Sequence, residues 1–321
     1  MFLSPELHFA IEQEIASLNS SHLVRAYEEL SQHYRQKSFE KVSFKLSKEH
    51  CVAYAASRMP ATYEVAVHIF TELFKQRPEL ALESVLDIGA GPGTCAFALS
   101  SLHTFKKITL LEKEFQFLEL GKRLFQSLPD PAFKNATWHL SDAANMPEFP
   151  KSDLTIASYS LGEMNPAVRQ NVLAKCLKAT QKIMIVIEPG TPQGYTNLMT
   201  MRTQIINQGF FILAPCPHQN PCPINAPDWC HFSKRLPRER FHRLIKNVEL
   251  NYEDEKYCYL VASPDEPPLS TLSRIIKKPM KRPGHIYVDL CTSVGLKREV
   301  VPRSRQEKMR QAKKAKWGDS W

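Results

Sequence analysis

SVLDIGAGPGT, residues 84–94, is the stretch on which the fold turns. Its first half reads as a short buried strand carrying one acid, Asp87, and its second half places Gly89, Gly91 and Gly93 at alternate positions before a helical pattern resumes. Glycine there permits a tight strand-to-helix turn, lets a ligand approach the backbone, and leaves the first N–H groups of the helix facing it. A dinucleotide-binding loop needs another glycine at the sixth position counted from Gly89, and that position is Thr94. A nicotinamide dinucleotide is therefore not the expected ligand.

Outward from this turn, short apolar runs alternate with helical stretches. KITLLEK (107–113), ATWHLSD (136–142), LTIASYS (154–160) and KIMIVIEPG (182–190) read as strands, separated by the helical GTCAFALSSL, EFQFLELGKRLFQSL and VRQNVLAKCLKAT. Such alternation builds βαβ units around a mostly parallel sheet, an α/β Rossmann-like fold. Residues 1–82 show apolar residues at three- and four-residue spacing, broken at Pro60, and read as a helical N-terminal domain that caps the next one. The expected organisation is this helical domain, a Rossmann-like domain over 83–265 with a Cys-rich insertion at 214–240, and a basic extension over 266–321 entered through the linker SPDEPPLS (263–270). Within the second part, NLMTMRTQIINQGFF reads as a helix, HFSKRLPRERFHRLIK as a basic segment and EKYCYLVAS as a strand.

The acid two residues before the first glycine, with glycines spaced G-x-G-x-G, resembles the first motif of class I S-adenosylmethionine-dependent methyltransferases. That resemblance implies a carboxylate, Asp87, near the ligand's amino group, and Gly89, Gly91 and Gly93 lining it. Glu112, ending the next strand, is placed to accept from both ribose hydroxyls, and Asp142, after the third, to meet the adenine amino group. Tyr159, Gly162 and Glu163 lie at the carboxyl edge of the fourth strand, where open sheets bind ligands, and are expected to face the transferable methyl. The segment there, SLGEMN, has neither the Asn/Asp-Pro-Pro-aromatic run of amino-methylating nucleic-acid enzymes nor the Pro-Cys of cytosine C5 enzymes. No catalytic residue is assigned.

APCPHQNPCPINAPDWCHF places Cys216, Cys222 and Cys230 on proline-rich, irregular backbone that cannot bury much apolar surface, so a metal is the simplest staple. The fourth ligand is Cys258 or Cys291. Cys258 sits inside an apolar strand, whereas Cys291 ends one and can turn to a neighbouring loop, which favours Cys291. Four thiolates suit zinc or an iron–sulfur cluster, and His218 and His231 keep a mixed zinc site open. With Cys291 as ligand, the site would tie the basic extension to the methyltransferase-like fold. Cys51, Cys95 and Cys176 fall in helical patterns as core thiols.

Net charge is +9, and from Ser270 onward 14 Lys or Arg face 4 Asp or Glu, so the excess lies in the last fifth of the chain. RNA is the expected partner for that end, because neutralised phosphates release condensed counterions; no DNA partner is expected. The tail RSRQEKMRQAKKAK is expected to lie along phosphates and to fold on contact. No run approaches the roughly 18 uncharged apolar residues of a membrane span, so no membrane association is expected. The acidic N-terminal stretch, with Glu6, Glu12 and Glu14 and no Lys or Arg, fits neither a secretory signal nor an organelle presequence. Eight cysteines, three of them clustered, suit a reducing compartment. The bacterial cytoplasm is expected, the mitochondrial matrix being the alternative.

Side by side, RMPATY (58–63), LDIGAGPGT (86–94), SYSLGE (158–163), the block CPHQNPCPINAPDWCHFSKRLPR (216–238) and RIIKKP…HIYVDLCTSVG ending in KAKWGD resemble the bacterial and mitochondrial family of methyltransferase-like proteins associated with the small ribosomal subunit. The resemblance covers most of the chain from about residue 50. It implies a four-iron, four-sulfur cluster on Cys216, Cys222, Cys230 and Cys291, and binding to small-subunit rRNA during assembly. Two activities follow as expectations: an S-adenosylmethionine-dependent rRNA methyltransferase, or an assembly factor in which cofactor and cluster serve structure.

Overall fold

The computed structural model describes residues 3–35, 45–246, 248–266 and 272–321. Residues 267–270 of the expected linker lie outside the described residues. In chain order the elements are α1 (Pro5–Ala16), α2 (Ser20–Arg35), α3 (Lys48–Ser57), α4 (Met59–Gln76), β1 (Ser84–Ile88), α5 (Thr94–Ser100), β2 (Lys107–Glu112), α6 (Phe115–Gln126), the single turn α7 (Pro131–Lys134), β3 (Thr137–Leu140), β4 (Ser152–Ser158) and α8 (Pro166–Ala179). There follow β5 (Thr180–Pro189), α9 (Pro192–Asn207), β6 (Phe211–Ala214), β7 (Phe232–Pro237), α10 (Arg240–Lys246), β8 (Tyr252–Ser263), β9 (Arg274–Ile275), β10 (Met280–Arg282), β11 (His285–Thr292), β12 (Gly295–Pro302) and α11 (Gln306–Lys314).

The chain divides into two compact units, Met1–Ala179 with Lys234–Glu255, and Thr180–Ser233 with Lys256–Trp321. In the first, parallel strands stand in the order β3-β2-β1-β4, with Val85 opposite Ile108 on one side and Leu154 on the other. Val85, Leu86 and Ile88 are almost fully buried, as a strand covered on both faces requires. The order reverses at β1, which puts the glycine turn at a topological switch point. The N-terminal helices belong to this same unit. Helix α3 is apolar nearly all round, through Cys51, Val52, Ala53, Ala55 and Ala56, and packs against α1, α2, α4, α6 and α10. Its start is set by Ser47, whose hydroxyl accepts from His50 N while His50 Nδ1 accepts from Ser47 N.

In the second unit β8 runs antiparallel to both β5 and β6. A parallel β3-β2-β1-β4 set with a glycine turn after β1, followed by a β5-β8-β6 set closed by an antiparallel strand, is the expected α/β Rossmann-like arrangement, here with helices added at the N-terminal side. The same unit carries a second, antiparallel sheet in which β11 pairs with β10, β12 and β9. Ile286, Val288 and Leu290 on one face of β11 pack with Ile275, Val301 and, from α11, Met309 and Ala312. The basic tail thus corrects the expectation of a segment that folds only on contact: Gln306–Lys314 is already a helix, anchored by two buried residues. The WGD segment is tied to β9 by Gly318 N donating to Ile275 O (2.9 Å) and Ile275 N to Asp319 O (3.0 Å). Among the described residues no helix is long and apolar enough to cross a membrane.

Candidate functional site

Leu111 O accepts from both Gly89 N (2.8 Å) and Ala90 N (3.0 Å), which bends the chain sharply out of β1. Glu112 braces the turn: its Oε2 accepts from Gly91 N (2.7 Å) and its Oε1 from Glu114 N (2.8 Å). The residue expected to meet a ribose is thus also the one that shapes the loop. Gly89, Gly91 and Gly93 have φ of +67°, +55° and +87°. A Cβ at Gly89 would stand 2.6 Å from Ser160 Cβ, and one at Gly93 2.5 Å from Phe125 Cε1, whereas one at Gly91 would meet nothing. Gly91→Ala should therefore cost only backbone strain, about 1–2 kcal/mol, while Gly89→Ala adds a collision with β4's edge and should cost more. Chemical denaturation of the two variants checks the ranking.

Asp87 is 2% exposed, and neither carboxylate oxygen has a hydrogen-bond partner among the described residues. Burial, with Glu112 close by, pushes its carboxyl up to about 7. Burial likewise raises Glu112, partly offset by the two backbone N–H groups that it accepts. An acid left without donors in the interior is costly unless a cationic or hydrogen-bonding ligand completes it.

At the end of β4, Tyr159 adopts φ +55°, a left-handed backbone that a tyrosine rarely takes and that favours functional edges. Ser160 Oγ donates to Ile88 O (2.8 Å) and locks this edge to β1. Glu163 keeps accessible surface, yet desolvation pushes it up to about 7, opposed by Lys113 and reinforced by Glu112 and Glu114. Glu112 therefore lies within electrostatic reach of both Asp87 and Glu163. Arg58, from RMPATY, is paired to Glu255 (3.1 Å) and lies within electrostatic reach of Tyr54 and Tyr159. Asp142 is exposed and accepts from Ala144 N (2.9 Å), so it shapes its own turn. That turn is gripped by Lys175 Nζ, which donates to the carbonyls of Ala143, Ala144 and Met146 (2.8, 3.2 and 2.6 Å). Lys175 had no signature in sequence, because a lone helical lysine reads as solvated.

In the second unit Cys216, Cys222, Cys230 and Cys291 line one cavity together with Cys258, Tyr195 and Arg274. Burial pushes the Cys291 thiol up to about 12, and it raises Cys216 and, furthest, Cys230; the other cysteines of the set add to each. Among the described residues no three potential ligands are already drawn together at metal-ion distances, so the thiols share a cavity without forming a closed cage. The donor set nevertheless fits a thiolate-held centre. Tyr195 OH donates to Cys222 Sγ (3.2 Å), Cys291 Sγ lies 3.5 Å from His218 Nε2, and Arg202, buried beside Cys216, has an Nε without a hydrogen-bond partner among the described residues. These are donors that sulfur anions could accept from. Cys258 instead points its thiol at the carbonyls of Glu188 (3.7 Å) and Pro189 (3.4 Å).

The cysteine loop has protein anchors that sequence reasoning did not find. Gln219 mimics a strand, its Oε1 accepting from Ile212 N and its Nε2 donating to Ile212 O, both at 2.8 Å. Arg202 donates to His218 O (2.8 Å), Arg274 to Pro215 O (3.1 Å) and Gly318 O (2.8 Å), and Trp229 Nε1 to Gly190 O (3.0 Å). Arg274 therefore joins three separated stretches, PCPHQ (215–219), RIIKKP and WGD, at one guanidinium.

Comparison with known proteins follows these features. The human mitochondrial ribosome assembly protein METTL17 is 23% identical over 296 residues, covering 84% of this chain and 61% of that protein. The Rsm22-cox11 tandem protein 2 of Schizosaccharomyces pombe, also mitochondrial, is 24% identical over 84% of this chain and 42% of its own length. The chain thus spans 61% of the first relative's length and 42% of the second's. Among solved structures, the magnesium protoporphyrin IX methyltransferase of Synechocystis with bound SAM is 13% identical, covering 77% of this chain and 97% of that one, at a TM-score of 0.41. The family described as mitochondrial small ribosomal subunit Rsm22 matches residues 48–321. The glycine turn, the four-cysteine cavity and the C-terminal sheet all lie inside that match, and the chain belongs to the Rsm22 family.

Proposed function

We propose that this chain binds S-adenosylmethionine at the β1 turn, holds an iron–sulfur cluster on Cys216, Cys222, Cys230 and Cys291, and engages small-subunit rRNA in ribosome assembly. The observation that carries the cofactor is Asp87, a buried carboxylate with no hydrogen-bond donor among the described residues. Asp87 would take the ligand's ammonium, the Gly89–Gly93 turn would let it approach, Glu112 would hold the ribose and Asp142 the adenine, with Tyr159 and Glu163 at the methyl. When bound, the sulfonium supplies an electrophilic methyl carbon. Cys216, Cys222, Cys230 and Cys291 would ligate a four-iron, four-sulfur cluster, zinc being the alternative for the same donors. Family membership and the name of the human relative, a ribosome assembly protein, support the assembly role. The compartment we assign is one with a bacterial-type ribosome, the bacterial cytoplasm first and the mitochondrial matrix second.

A second reading, an assembly factor that transfers no methyl, is favoured by the β4 edge, where Glu163 is the one acid among the residues of SYSLGE and no substrate-clamping motif stands. Incubating the protein and immature small subunits with methyl-labelled S-adenosylmethionine separates the two. Label entering rRNA, absent with Asp87→Ala, is the expected result for the enzyme. No label with subunit binding intact would leave the assembly factor alone.

A further inference from the structure

The second sheet has one face covered and one open. Register pairs Met280 with Tyr287 and Tyr287 with Val300, so these three side chains stand in one row; Arg282 and His285 form the row beside it, and Asp289 and Arg298 the row on the other side. This face is opposite the one that packs on α11. A merely solvated face would be polar, yet Met280 is 39% and Val300 47% exposed. The Tyr287 ring lies between them, edge to face with His285 at 4.6 Å and with the Arg298 guanidinium 5.6 Å from its centroid. Arg298 is fixed by its bidentate pair with Asp289 (2.6 and 2.9 Å), which neutralises the one acid of the face. Arg282 is exposed and has no ion pair among the described residues.

We propose that this open face is a stacking platform for unpaired bases of RNA, with Tyr287 under a base and Arg282 and Arg298 meeting the flanking phosphates. It rests on the RNA-binding reading above and gives that reading a place and a strand preference. An aromatic ring among apolar neighbours takes the π-face of any base that is not already stacked; Arg282 brings positive charge to match the backbone, and Arg298, balanced by Asp289, offers only its remaining N–H groups. A protein partner would need acids to meet those arginines, and a duplex offers no free base face.

The test uses the full, metal-loaded chain and fluorescence anisotropy with a labelled single-stranded RNA of about a dozen nucleotides and its duplex. Tyr287→Ala is expected to weaken single-strand binding by about 5- to 100-fold and to leave duplex binding and the salt slope unchanged. Tyr287→Phe should bind as the wild type, which shows that the fold survives at this position. Arg282→Gln should flatten the slope of affinity against salt by about one phosphate contact. The proposal is overturned if Tyr287→Ala binds single strands like the wild type. If in that case Arg310, Lys313 and Lys314, together replaced by Gln on α11, abolish binding, the RNA reading stands and only this face is wrong. A wild-type chain that binds no RNA sinks both, whereas one that captures a small-subunit protein through this face overturns the platform alone.

Discussion

Asp87→Asn is expected to weaken S-adenosylmethionine binding on the order of a hundredfold and, at about pH 8, to raise the melting temperature of the ligand-free chain. Both effects come from one buried carboxyl. In the folded chain it is pushed up to about 7 from the ordinary 3.8, because burial penalises its charged form and Glu112 lies close by. Between those values the native state holds a proton that the unfolded state has released, so the stability of the ligand-free chain falls as pH rises from about 4 to about 7 and then levels off. The loss at high pH is on the order of a few kcal/mol, and an uncharged asparagine of the same shape escapes it. A cationic ligand needs the carboxylate, so its affinity should run the other way, dropping about tenfold per pH unit below about 7. Calorimetric titration and thermal melts at about pH 6 and pH 8 measure both. An asparagine variant that binds equally well, or that melts lower than wild type throughout, removes Asp87 from the role.

Cys222→Ser is expected to turn a brown, anaerobically purified protein colourless and to lower its melting temperature by roughly 10 °C or more, since metal binding at such a site is folding free energy. The loop between β6 and β7 buries little apolar surface, and Cys222 is partly exposed, so its sulfur contributes through ligation more than through packing. Cys258→Ser should keep the colour, because that thiol already faces the Glu188 and Pro189 carbonyls. Visible spectra with iron and sulfide analysis decide between them. Stoichiometric zinc in a colourless wild type would keep the four-thiolate set and remove the iron, whereas colour retained in Cys222→Ser would falsify the ligand assignment.

Much of this was readable before any coordinates. The G-x-G-x-G turn, its preceding acid and the strand–helix alternation are local patterns, set by which residues tolerate positive φ and which bury on a central strand, and β1 to β5 fall where those patterns put them. The helix break at Pro60 held for the same reason, Met59 and Pro60 opening α4. The tail was different. Gln306–Lys314 offers only Met309 and Ala312 as buried positions, too few to show a helical stripe, and their partners Ile286 and Val288 come from a distant strand. Arg202 and Arg274 read as surface charges because nothing nearby in sequence reveals that carbonyls of His218, Pro215 and Gly318 will converge on them.

Residue order alone therefore determined the α/β class, the place of the glycine turn and the grouping of Cys216, Cys222 and Cys230, since each rests on patterns within short stretches of chain. Tertiary structure decided what spacing cannot carry: that Asp87 has no donor among the described residues, that Glu112 braces Gly91, and that Cys291 reaches the same cavity as Cys216. Burial and electrostatic coupling are sums over everything that packs around a group, and most of those neighbours are far away along the chain.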